Sequence, residues 1–131
     1  MIQEIVGAMI VEAQMILLGQ RAATRTFFPN VWDVFGGHME PGEQQPETLV
    51  RELQEELGIV VSEPCLAPLT FASHAYPDFH LLMPLYVCRR WEGLVKPMEG
   101  QQLAWVKPNK LRDYKMPPAD EPLVAHLMAL L

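Results

Sequence analysis

The sequence has little of what marks secreted, membrane-bound or nucleic-acid-tracking proteins. It holds only two cysteines, Cys65 and Cys88, set in no metal-binding or redox pattern. They read as buried, reduced thiols in a cytoplasmic chain. No run approaches the ~20 apolar residues needed to span a bilayer, so no membrane partner is expected. The opening MIQEIVGAMIVEAQMILL has no basic leader and is interrupted by Glu4 and Glu12, so it is not a signal peptide. Lys/Arg-rich runs are missing too, and the formal charge is −6. Polymeric nucleic acid is therefore not an expected partner. A small anionic ligand is still compatible, because a bound divalent cation reverses the sign of an acidic site.

What is present fits one domain over residues 1–131, half of it apolar and a fifth of it charged. Ile5–Val11 and Met15–Leu18 are apolar and joined through Glu12-Ala13-Gln14, which predicts a hairpin. Gly19 to Asn30 reads as a loop, and Trp32–Phe35 as a short strand leading into Gly36-Gly37 and the Pro41-Gly42 turn. Pro46 and Glu47 suit a first helical turn and Gly58 its stop. Leu66–Ala75, Leu81–Arg90 and Gln102–Val106 read as strands, and Pro122–Leu131 as a terminal helix. Strands wrapped around two helices give an α/β sandwich with a mixed sheet.

Between Pro46 and Gly58, Leu49, Val50, Leu53 and Leu57 fall on one helical stripe. Glu52, Glu55 and Glu56 fall on an adjacent face, where like charges at i, i+3 and i+4 cost a few tenths of a kcal/mol each. Arg51 is the nearby base, placed to pair with Glu55 one turn on. A solvated face is one explanation. A hard divalent cation such as Mg²⁺, which takes oxygen ligands and shares them with phosphates, is the other.

The spacing of Gly37, Glu43, Arg51-Glu52-Leu53, Glu55-Glu56 and Gly58-Ile59 matches every fixed position of the Nudix box, here residues 37–59. Such a match by chance is on the order of 10⁻⁹ per window at typical residue frequencies. The sequence resembles the Nudix hydrolases. The resemblance implies an α/β/α sandwich with a catalytic loop–helix–loop, and hydrolysis of a nucleoside diphosphate linked to another group with Mg²⁺, or Mn²⁺ as a substitute. It implies Glu52, Glu55 and Glu56 as metal ligands together with a backbone carbonyl near Gly37. Arg51 orients the carboxylates and Glu43 stabilises the loop–helix junction. A carboxylate must take the proton of the attacking water, with Glu52 the first candidate and Glu99 its rival.

Tyr76-Pro77-Asp78-Phe79-His80, Arg90-Trp91-Glu92-Gly93, Glu99-Gly100-Gln101 and the run Pro117 to Pro122 look like the MutT-type branch, in the same order. Those enzymes release pyrophosphate from nucleoside triphosphates, with 8-oxo-dGTP as the sanitising substrate. On this likeness Glu99 is a further metal-proximal glutamate or, more plainly, a turn former. Asp120 stands where that branch reads the base with an amide, and also fits a helix N-cap. Arg21 stands near the substrate or is a solvated loop residue. Asp33 and His38 replace a glutamate and a lysine of that pattern and could shift the preference toward CTP or another modified nucleotide. Phe35 belongs to the presumed base pocket, and His80 could line it. His74 and His126 read as structural or exposed, and Trp32, Trp91 and Trp105 as packing residues. A nucleotide-sugar, ADP-ribose or dinucleotide hydrolase is the alternative enzyme. A non-catalytic sensor is disfavoured by the intact box acids. The chain is expected as a monomer or homodimer.

Overall fold

The computed structural model describes residues 1–25 and 28–130. The expected loop Gly19–Asn30 includes Thr26 and Phe27, and the expected terminal helix includes Leu131; these lie outside the described residues. The first strand, β1 (Ile2–Glu12), organises the rest. Its residues Val6, Ala8 and Ile10 face one side and Met9 and Val11 the other, all buried, so both faces of the strand are covered. A run with apolar side chains on both faces is what a strand between two helical layers requires.

β2 (Met15–Gln20) folds back on β1, pairing Glu12 with Met15. The connecting Ala13 and Gln14 both have positive φ, 50° and 64°. That is the backbone sense that two-residue hairpins favour, although neither residue is the Asn or Gly that takes it without strain. β3 (Trp32–Asp33) pairs β2, and β4 (Phe35–His38) pairs the first half of β1. The expected single strand Trp32–Phe35 is thus two strands broken at Val34 that join different neighbours. β5 (Leu66–Ala75) and β6 (His80–Cys88) form an antiparallel pair, with β6 parallel to β1. β7 (Gln102–Val106) pairs β2. The mixed sheet runs β3-β2-β1-β6-β5, with β4 beside β1 and β7 beside β2.

Helix α1 (Gln45–Leu57) covers one face of this sheet. Leu49, Leu53 and Leu57 are fully buried, each contributing about 1.5–3 kcal/mol, while Val50 is half-buried at the margin. Glu47 accepts from the Gln44 backbone N–H, and Gly58, in the left-handed conformation at φ 70°, ends the helix. Helix α2 (Glu121–Leu130) covers the other face through Leu123, Val124 and Leu127. Three 3₁₀ turns, Glu63–Cys65, Pro108–Asp113 and Pro118–Asp120, carry no periodic signal and were not expected from the sequence. Both cysteines are free; Cys88 is buried, but Cys65, in the first of these turns, is only half-buried.

The hairpin turn yields a test. Replacing Ala13-Gln14 by Asn-Gly is expected to raise stability by roughly 0.5–1 kcal/mol, since left-handed backbone is costly for ordinary residues. An unchanged or lower denaturation midpoint would show that the turn is not strained.

Candidate active site

Two glycines bring the sheet and the acidic helix together. Gly36 and Gly37 lie in β4 opposite Gly7 and Val6 of β1. A Cβ on Gly36, at φ 144°, would stand 1.9 Å from the Val6 carbonyl oxygen. A Cβ on Gly37 would stand 2.6 Å from Oε1 of Glu52. The first glycine lets the strand pack, and the second lets a carboxylate lie on the backbone.

Arg51 gathers the acids around that point. Its Nε and Nη2 donate to the two oxygens of Glu43, both at 2.9 Å, and its Nη1 donates to Glu52 at 2.9 Å. Nη2 also reaches the His38 carbonyl at 3.1 Å. Glu55, the partner expected from helical spacing, is farther, 3.5 Å from Nη1. The leading partner is instead Glu43, from the loop before the helix, in a two-pronged geometry that only Arg offers. Glu43 also accepts from the Glu40 N–H and the Thr48 hydroxyl. Bonding to Arg51 above all, and then to Glu40 N–H, pulls its carboxyl down to about 2. Glu43 is thus a fixed anion that ties loop to helix and aims the guanidinium.

The other carboxylates move the opposite way. Burial first, and then the charge of Glu52, pushes Glu56 up to about 8, although the Gly36 N–H donates to it at 3.1 Å. Burial also raises Glu52, against the pull of Arg51. Glu99, exposed in the loop before β7, adds to both shifts and lines one cleft with Glu56, Gly36 and Phe35.

Among the described residues, no three His, Cys, Asp or Glu side chains converge as a closed ligand set. Mg²⁺ does not need one: it keeps several waters and uses one or two carboxylates with substrate phosphates. A hard-oxygen donor set of Glu52, Glu55, Glu56 and Glu99 beside the Gly37 backbone fits that ion, because a cation relieves the burial of like charges that raises Glu52 and Glu56.

A second, larger cleft of about 440 Å³ opens beside the first and shares Arg21, Asp33, Gly36 and Met83 with it. Tyr76, Phe79 and Leu81 wall it, with Asp120 and His38 at its border. The Tyr76 and Phe79 rings lie 5.2 Å apart and tilted by 35°, an aromatic wall within the Tyr76–His80 motif that drew no role from sequence. Asp33 is held by Arg21 Nη2 at 2.6 Å and by the Val34 N–H at 2.8 Å. Asp120 is only 4% exposed, and burial together with a hydrogen bond to Asp33 holds its carboxyl well above the usual range.

The remaining expectations divide. Phe35 is buried under the cleft, its ring at the spot where a Cβ on Gly19 would sit 2.8 Å away. His80 is turned elsewhere: its Nε2 lies 2.6 Å from Ser73 Oγ, because residues alternate along β6 and it is Leu81 that faces the cleft. Trp32 packs edge-on to Tyr114 and Trp91 stacks near Trp105, as packing residues do. His126 is exposed on α2.

The raised Glu56 carboxyl implies a sign. Between the ordinary carboxyl value of 4.5 and about 8 the folded protein keeps a proton that the unfolded chain has lost. Stability of the metal-free protein therefore falls as pH rises through that window. Melting in EDTA is expected to drop between about pH 5 and about pH 8, and Glu56→Gln to flatten the drop. An equally steep fall in the variant would assign the effect to other groups.

Comparison with known proteins agrees with this geometry. The family model described as NUDIX domain matches residues 1–127. The chain is 37% identical to the CTP pyrophosphohydrolase of Escherichia coli K12, covering 97% of this chain and 92% of that one. It is 34% identical to the 8-oxo-dGTP diphosphatase of the same strain, covering 98% of each. Among solved structures, one from a study of MutT from Aliivibrio salmonicida and Vibrio cholerae superposes over all of both chains, with a TM-score of 0.82 and 27% identity. No helix among the described residues is long and apolar enough to cross a membrane. A glycine-backed acidic helix, its arginine knot and the match across nearly the whole chain lead to one conclusion: this protein belongs to the Nudix family, as a hydrolase of the MutT type.

Proposed function

We propose that the chain is a single Nudix domain that hydrolyses a nucleoside triphosphate, 8-oxo-dGTP or a related deoxynucleotide, to the monophosphate and pyrophosphate. Such an activity would clear damaged nucleotides from the cytoplasmic pool. The observation that carries this reading is the continuity of the site. Gly36 bonds Glu56 through its N–H and also lines the larger cleft, so the carboxylates and an aromatic-walled pocket meet at one residue.

In this reading Mg²⁺ is held by Glu52, Glu55, Glu56, Glu99 and the Gly37 carbonyl. When bound, the ion neutralises phosphate oxygens and favours in-line attack of water on phosphorus. Arg51 and Glu43 keep Glu52 in place, and the buried, raised carboxyl of Glu52 suits it to accept the water's proton, with Glu99 as rival. At the other end the base lies against Tyr76 and Phe79, and Asp33 and Asp120 read its edge, while Phe35 lines the adjoining cleft toward the phosphates. Arg21 compensates Asp33, and His38 borders the phosphate path.

A second reading, CTP as substrate, is supported by the likeness to a CTP pyrophosphohydrolase and by the acidic base pocket. Asp33 accepts, and Asp120, its carboxyl held well above the usual range by burial, can donate when protonated, which suits the amino and ring-nitrogen edge of cytosine.

A panel of dNTPs, 8-oxo-dGTP, CTP, ADP-ribose and nucleotide sugars with Mg²⁺, scored for pyrophosphate against phosphate, tests the assignment. Turnover confined to sugar or dinucleotide substrates would reject it. Glu52→Gln is expected to lower kcat roughly 10²–10⁴-fold without unfolding the protein; near-normal turnover would remove Glu52 from the chemistry. Asp120→Ala should reorder the substrates more than it slows the best one, and an unchanged order would leave Asp120 a structural residue.

A further inference from the structure

Glu99 belongs to an exposed loop, yet the cleft needs its carboxylate beside Glu56. Three like charges in one place repel, and a loop side chain left to itself would swing toward water. What holds the loop is the end of helix α1. The last turn of a helix leaves carbonyls without helical partners, and here the loop supplies them. Lys96 N–H donates to the Leu57 carbonyl at 2.9 Å, and Met98 N–H to the Glu56 carbonyl at 3.1 Å. Gln101 completes the tie with both ends of its amide. Its Nε2 donates to the Glu56 carbonyl at 3.0 Å, and its Oε1 accepts the Glu99 N–H at 3.0 Å. Gly100, at φ 74° and closing a turn onto the Pro97 carbonyl, lets the chain fold back far enough for this.

We propose that Gln101 is a positioning residue, bridging the backbone of Glu99 to that of Glu56 so that the loop carboxylate and the helix carboxylates form one rigid set. This deepens the hydrolase reading and rests on it for its catalytic consequence. Gln101 also lines the cleft, but its amide is committed to two backbone groups, so it reaches the chemistry through the two glutamates it bridges.

The test is a double-mutant cycle of Gln101→Met, which keeps the length and loses both bonds, with Glu99→Gln. Gln101→Ala serves if the methionine variant does not fold. Alone, the substitution is expected to weaken Mn²⁺ binding by about 10-fold and lower kcat by about 10–100-fold, with KM nearly unchanged. In the Glu99→Gln background it should add little. A full additional loss there, or wild-type Mn²⁺ affinity in the single variant, would overturn the proposal. Exchange of the Glu99 amide in metal-free protein is read alongside: faster exchange in the variant supports the tie, and unchanged exchange refutes it. This measurement and the Mn²⁺ titration keep their meaning even if the wild-type protein hydrolyses no nucleotide, which would sink the substrate assignment alone.

Discussion

The site depends on one cation supplied by the chain itself. Arg51 stands among Glu40, Glu43, Glu52 and Glu55, and among the described residues its guanidinium is the only cationic group within 4 Å of them. Its strongest engagement is with Glu43, which is not a member of the helical acid face. The arginine is therefore anchored from the loop and presents its remaining Nη1 edge to the helix. That leaves the carboxylates only partly compensated. Glu43 falls to about 2, while Glu56 rises to about 8 in the same small region. Side chains with such opposed environments do different jobs: one fixes geometry, and the other keeps an unsatisfied demand for positive charge.

A similar device stands at the far end of the cleft. Arg21 holds Asp33, and Asp33 shares a hydrogen bond with the deeply buried Asp120. One arginine for two carboxyls again falls short of full compensation, and here burial holds the Asp120 carboxyl well above the usual range. The difference follows from exposure. Glu55 is more than half exposed and Glu99 lies open, so hydrated ions reach them, whereas Asp120, at the end of the Pro118–Asp120 turn, is only 4% exposed where it meets the cleft.

Much of this was legible in the residues, and the limits have physical causes. The stripe Leu49, Leu53, Leu57 and the stop at Gly58 marked α1 because period and cap agree. β5 and β7 matched their expected bounds, since turn residues punctuate both ends. Glu52, Glu55 and Glu56 were marked by a charge cost that a solvated helix has no reason to bear. Helical spacing found the Arg51–Glu55 pair, at 3.5 Å, but not the shorter two-pronged contact to Glu43, because that partner comes from the loop before the helix. His80 was misplaced for a comparable reason: strand alternation, set by the register of β6 on β5, decides which neighbour faces the cleft. The amide bridge of Gln101 and the Asp33–Asp120 contact join residues distant in sequence, and no local pattern announces such pairs.

The two acidic ends bear on what can enter. A nucleoside triphosphate carries several negative charges, and the whole chain carries −6. Neither Arg21 nor Arg51 is spare for its phosphates, since each is engaged by carboxylates within 3 Å. Arg25 lines both clefts beside Arg21, so a bound cation and Arg25 together offset the charge of a polyphosphate, and the affinities for cation and nucleotide are coupled in both directions. Selection at the base end is then relieved of supplying much affinity. It can act through the rejection of wrong edges by the buried carboxyl pair, where an unmatched donor or acceptor costs about 1–3 kcal/mol. In the proposed reading charge holds the phosphates and burial discriminates the base, so changes at Asp33 and Asp120 would alter the nucleotide preference with the fold kept.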